Sequence, residues 1–201
     1  MPSISRSLRL SLAALAALAP TLAFAHVGGG EAHGLIHGFS HPIGGVDHIL
    51  AMVTVGIFAA NISGRALWAV PLTFMSFMLA GGALGIFGLP LPFVEVGVAL
   101  SIIVLGVAVA AKWDWPVTAA MALVGLFAIF HGHAHGTEMP LDTSGVSYAL
   151  GFVTATGLLH LAGIGIGLGI GAASQGYSQR ISRAGGAAVA VAGIGVLAGI
   201  I

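Results

Sequence analysis

Two short stretches of the chain carry most of its capacity for chemistry: HPIGGVDHIL, from His41 to Leu50, and FHGHAHGTE, from Phe130 to Glu138. Each mixes imidazoles with one carboxylate, and each adjoins a long apolar run. Polar groups in an apolar helix are costly unless partners satisfy them, so the identity of those partners is the functional question. His41 and His48 are seven residues apart; on one helix they would be separated by about 700°, almost two full turns, and would share a face. Pro42 suits the first turn of such a helix, where its missing N–H leaves no bond unmade. Asp47 would then sit roughly one and a half turns in, next to His48. A carboxylate beside an imidazole either ligates an ion jointly with it or orients the ring from behind. In the second stretch His131 and His135 are four apart and share a face. Glu138 extends that face if the helix continues past Gly136, and His133 points elsewhere.

The chain has no cysteine, which excludes disulfides, thiolate metal sites and thiol catalysis. Imidazole and carboxylate without thiolate favour borderline divalent ions such as Ni²⁺, Co²⁺ or Zn²⁺ over Cu⁺, and over the all-oxygen shells of Mg²⁺ and Ca²⁺. Few, mixed and partly hydrated ligands also release an ion more readily than a closed tetrahedral cage. Because the ligands must be deprotonated, binding should weaken as pH falls through the histidine range.

The elements that must position these residues follow from composition. Of 201 residues 58% are hydrophobic, against six Lys+Arg, six Asp+Glu and nine His, and the mean hydropathy is +1.07. Such a chain is an integral membrane protein embedded in a lipid bilayer. Its zero net charge and lack of a basic cluster give no reason to expect nucleic acid. Residues 1–25 read as a secretory leader: Arg6 and Arg9 precede an apolar run that ends in Ala23-Phe24-Ala25. Cleavage there would leave His26 as the first mature residue. Residues 26–201 then hold six apolar runs near 42–60, 66–88, 93–111, 115–134, 146–171 and 184–201, each close to the roughly 20 residues that a bilayer-spanning helix needs. The expected fold is all-α, with six transmembrane helices in one compact bundle after a cleaved signal peptide. Lys and Arg accumulate in cytoplasmic loops. With the mature N-terminus outside, the loops after spans 1, 3 and 5 are cytoplasmic, and they hold Arg65, Lys112, Arg180 and Arg183, all four basic residues of the mature chain. Both mature termini are therefore expected in the periplasm of a bacterial cell whose inner membrane the chain crosses.

In that orientation both motifs open to the outside. Glu95 lies near the outside end of span 3 and His160 near the middle of span 5, and an intramembrane ionisable residue is a functional candidate by default. By depth, His26, His33, His37 and His41 lead to the two clusters and then to His160, as an ion pathway would. Blander readings stand beside this one. His160 can hydrogen-bond a neighbouring helix, and His33 and His37 can belong to a flexible Gly-rich tail. Met75 and Met78 read as packing residues, and the small residues of GIGIGLGIG, Gly163 to Gly171, read as a helix-packing stripe rather than a nucleotide loop.

HPIGGVDHILAMVTVG together with FHGHAHGTE resembles the HupE/UreJ family of bacterial nickel/cobalt permeases, over essentially the whole mature chain. The resemblance implies that His41, Asp47 and His48, and His131, His135 and Glu138, handle the metal. It further implies uptake of nickel or cobalt for hydrogenase, urease or cobalamin enzymes, with no permanently bound cofactor and no enzymatic reaction. No nucleotide-binding motif is present, which implies facilitated diffusion or coupling to an ion gradient. The metal-ligand candidates are thus His26, His41, Asp47, His48, Glu95, His131, His135, Glu138 and His160, and a homo-oligomer is compatible with this reading. The competing functions are a membrane-embedded metalloenzyme, an accessory subunit that presents metal to another permease, and a haem carrier. The first lacks a His-Glu-x-x-His helix, and the last is weakened because the clusters sit at one end of the bundle.

Overall fold

A computed structural model describes residues 31–140 and 143–200; the expected leader, 1–25, and His26 lie outside the described residues. Seven helices make up the fold: α1 (Glu31–Gly44), α2 (Val46–Ile62), α3 (Ala66–Ile86), α4 (Val94–Ala111), α5 (Val117–Thr137), α6 (Gly145–Ala172) and α7 (Gln175–Leu197). No strand occurs among the described residues. Five of the helices, α3 to α7, are long and apolar enough to cross a membrane, and the chain is a multi-pass membrane protein. A sixth crossing is reached only if α1 and α2, bent by 83° at Gly45, count as one span.

Two expectations are corrected here. The residues before Pro42 form a helix, α1, rather than a flexible tail, and Pro42 lies within its last turn instead of opening a span. Gly38 of α1 faces the α6 backbone at Tyr148 and Gly34 faces the side chains of Ser147 and Thr143 at the start of α6, so the glycines of this segment serve packing. The last span also begins earlier than hydropathy implied: α7 starts at Gln175, so Arg180 and Arg183 lie in a helix rather than a loop. Its first turns are amphipathic, with Ser178 and Ser182 buried and both arginines exposed, and a polar face lowers window hydropathy without preventing a helix. Lys112, at the end of α4, donates from Nζ to Ser178 Oγ at 3.0 Å, which ties the two basic segments to one end of the bundle.

α2 is the hub, packed along α6 and touching α1, α3, α4 and α7. The other close pairs are α1 with α6, α3 with α5, and α4 with α7. Glycine sets how near they come, since small residues let helix backbones touch where no hydrophobic force exists between helices in lipid. Gly132 and Gly136 of α5 face the carbonyls of Met78 and Gly82 on α3, while Gly81 and Gly85 face those of Ile129 and His133 on α5. A Cβ at any of these would overlap main chain. Gly163 packs in the same way against the Val53 carbonyl of α2 and Gly167 packs against the Ala60 side chain, but Gly171, the third glycine of that stripe, meets nothing within 4 Å. Between the pairs lies a core that includes Val55, Phe58, Phe74, Ile102, Leu105 and Val124.

Gly132→Ala is expected to lower the stability of the detergent-solubilised protein by about 1–3 kcal/mol, the usual cost of overpacking. Gly165→Ala places its methyl where nothing lies within 4 Å and should leave the thermal midpoint unchanged. Equal midpoints for the two variants would remove glycine from its packing role.

Candidate metal centre

The bend at Gly45 sets the geometry. Gly45 caps α2 with extended dihedrals, φ −100° and ψ 126°, and a Cβ there would stand 2.6 Å from Asp47 Oδ1. A residue without a side chain therefore lets the Asp47 carboxylate fold back over the cap. Asp47 occupies the first turn of α2, where free N–H groups and the helix dipole favour negative charge. His41 ends α1 and His48 opens α2, so they do not share the face of one helix as expected. They approach the same place from two directions instead.

The outer part of the site joins α1 to the end of α5. His41 Nε2 lies 3.0 Å from Glu138 Oε2; a carboxylate only accepts, so the imidazole donates. His135 Nδ1 faces the same oxygen at 3.7 Å, and ligand atoms of His41, His135 and Glu138 all fall within 4.8 Å of one another. Glu138 lies just past the last residue of α5 rather than on its continuing face. The facing imidazoles of His135 and, less strongly, His41 hold its carboxyl below the ordinary value of 4.5, against a smaller opposing effect of burial.

Deeper in, three buried imidazoles converge on one atom. His48 Nε2 is 3.3 Å from His131 Nδ1 and in direct contact with His135 Nε2. The rings of His48 and His131 are edge to face with centroids 4.8 Å apart, and those of His48 and His135 are 3.8 Å apart. A single proton can bridge only one pair of these ring nitrogens, whereas a cation can take the lone pair of each ring it reaches; among the described residues the three-residue group whose ligand atoms all lie within 4.8 Å of one another is the outer one, His41, His135 and Glu138. The outward nitrogen of each ring faces oxygen: His48 Nδ1 meets Asp47 Oδ2 at 3.6 Å, His135 Nδ1 meets Glu138, and His131 Nε2 meets Ser101 Oγ at 2.8 Å. Oxygen partners behind metal-binding imidazoles fix ring orientation and raise basicity. His41, His48, His135 and Glu138 line a cleft of about 930 Å³, together with His37 and Glu95, while His131 lies fully buried behind it.

The remaining candidates divide. His37 lines the cleft, whereas the exposed His33 does not. His133 points away and donates from Nε2 to the Leu89 carbonyl at 2.8 Å, anchoring the loop between α3 and α4. His160 is 1% exposed and neither ring nitrogen has a hydrogen-bond partner among the described residues, so the reading in which it bonds a neighbouring helix fails. Phe74 separates it from the centre, with centroids 5.7 Å from His131 and 5.3 Å from His160. Met78 is core, its sulfur accepting the Thr156 hydroxyl at 3.9 Å. Ser101 had no signal in the sequence, being one serine inside an apolar helix.

The family model described as HupE / UreJ protein matches residues 13–196. The chain belongs to the HupE/UreJ family. This HupE/UreJ chain is 46% identical over 186 residues to Protein HupE of Rhizobium leguminosarum bv. viciae, covering 92% of the present chain and 95% of that one. No solved structure matches it. The family that the two motifs resemble is the family shown.

A lowered carboxyl value means that the Glu138 pairing stabilises the fold fully above 4.5 and is lost as pH falls through the lower folded-state value. Carbon-detected titration of the Glu138 carboxyl should give a midpoint below 4.5 that rises in His135→Ala more than in His41→Ala. A wild-type midpoint at or above 4.5 would mean that the outer pairs do not form.

Proposed function

We propose that this HupE/UreJ chain is a secondary permease that takes up a divalent transition-metal ion, Ni²⁺ foremost and Co²⁺ next, across the bacterial inner membrane. The ion is cargo, and the protein carries out no bond-making reaction on it. The observation that supports this most is the meeting of the His131 and His135 ring nitrogens at His48 Nε2, next to the His41, His135 and Glu138 group on an open cleft.

In this reading the ion sheds part of its water on His41, Glu138 and His135, with Glu95 and the mature N-terminal His26 adding ligands outside. His135 belongs to both groups, its Nδ1 toward the mouth and its Nε2 toward His48, so passing the ion from one to the other moves its single ring hydrogen from Nε2 to Nδ1. His48 and His131 receive it, and Asp47 stands behind His48. Past Phe74, His160 offers the lone pair of an unpartnered ring near the middle of α6 as the next station. Six crossings with both mature termini in the periplasm place the mouth outside and the basic end in the cytoplasm. With no nucleotide-binding motif, uptake runs by facilitated diffusion or on an ion gradient, and it feeds hydrogenase, urease or cobalamin enzymes.

Purified protein in sealed proteoliposomes should show saturable Ni²⁺ influx that competes with Co²⁺ and falls as external pH drops, because protons compete with the ion for the same ring nitrogens. His48→Ala should abolish it, and Asp47→Ala should lower it at least about 10-fold, with both variants folded. Stoichiometric metal binding without influx would sink the permease reading in favour of an accessory metal-delivery subunit or a metalloenzyme.

A further inference from the structure

Ser101 belongs to neither histidine motif, yet it is fully buried on α4 with its hydroxyl against the inner imidazoles. Its Oγ lies 2.6 Å from the Val98 carbonyl oxygen and 2.8 Å from His131 Nε2. Two oxygens that close need a hydrogen between them, and a carbonyl cannot supply it. The single hydroxyl hydrogen is therefore committed to Val98, and toward His131 the serine oxygen can only accept. His131 Nε2 must then carry the ring hydrogen. A neutral imidazole has one N–H, so Nδ1 bears a lone pair, and that lone pair faces His48 Nε2 at 3.3 Å.

We propose that Ser101 is a positioning residue of the metal site, holding His131 as the Nε2–H tautomer so that Nδ1 presents its lone pair to the ion. It acts through His131 and does not touch the ion, and its role in uptake rests on the permease reading above. The opposite tautomer would aim a hydrogen from His131 Nδ1 at His48 Nε2. The two rings would then satisfy each other and a cation would have to displace that bond. Ser101 thus decides whether the pair of rings is a hydrogen bond or a pair of ligands.

The test uses the full chain in detergent with Ni²⁺ as the probe, beside nitrogen-15 spectra of its histidines without metal. In the wild type the His131 resonances should report hydrogen on Nε2. Ser101→Ala should move hydrogen toward Nδ1 and weaken Ni²⁺ binding about 10- to 100-fold, the usual loss when a partner behind a ligand is removed. Ser101→Thr, whose hydroxyl can bond the same carbonyl one helical turn back, should restore both the tautomer and affinity to within a few-fold of wild type. Hydrogen on Nδ1 in the wild type, or unchanged Ni²⁺ affinity in Ser101→Ala, would overturn the proposal. If Ser101→Ala does not fold, the wild-type and Ser101→Thr spectra still decide the tautomer. Failure of the wild type to bind Ni²⁺ would overturn the metal role and the permease reading together, while the spectra would separately report whether Ser101 sets the ring.

Discussion

The backbones of α3 and α5 meet through Gly81, Gly82, Gly85, Gly132 and Gly136, and the position of each histidine on α5 follows from that contact. Neighbouring residues on a helix are turned by about 100°. With Gly132 and Gly136 held on α3, His131 and His135 are turned inward and His133 is turned toward the α3–α4 loop. The same five residues bring the helix ends level, so that Glu138 reaches His41 on α1. A bulkier residue at the contact would shift α5 sideways and take three imidazoles with it.

α2 and α5 are not among the closely packed pairs; His48, His131 and His135 span the space between them. Filling it with imidazoles rather than leucines is unfavourable in an apolar surround unless each nitrogen is satisfied. Of the outward nitrogens, that of His131 is hydrogen-bonded to Ser101, those of His48 and His135 stand 3.6 and 3.7 Å from the Asp47 and Glu138 carboxylates, and the inward ones face each other, so a part of this demand is left for a ligand to meet. The arrangement exchanges packing stability for ligands of one kind at one depth. Toward the basic end Phe58 and Trp115 pack edge to face at 5.7 Å.

Much of this was legible in the residues. His41, Asp47, His48, His131, His135 and Glu138 stand in two motifs, and hydropathy with the distribution of Arg65 and Lys112 set both motifs at one end. Gly163 and Gly167 were readable as packing residues from their spacing. The bend was not, because Pro42 fits the opening of a helix as well as its last turn, and only packing of Gly34 and Gly38 on α6 chose between them. The start of α7 was hidden by its polar face. Ser101 was invisible because its meaning lies in two distances to groups three and thirty positions away, which no local pattern encodes.

The alternation of histidine and glycine on α5 bears on how ion preference could change over evolutionary time or by design. The imidazole carriers are locked by the glycines beside them, so moving a ligand along α5 would cost the helix contact as well. The atoms behind the rings are under no such constraint. Retuning for another cation is therefore most accessible at Asp47 and Ser101, where a change of charge or hydroxyl alters how strongly His48 and His131 donate without touching the α3–α5 contact.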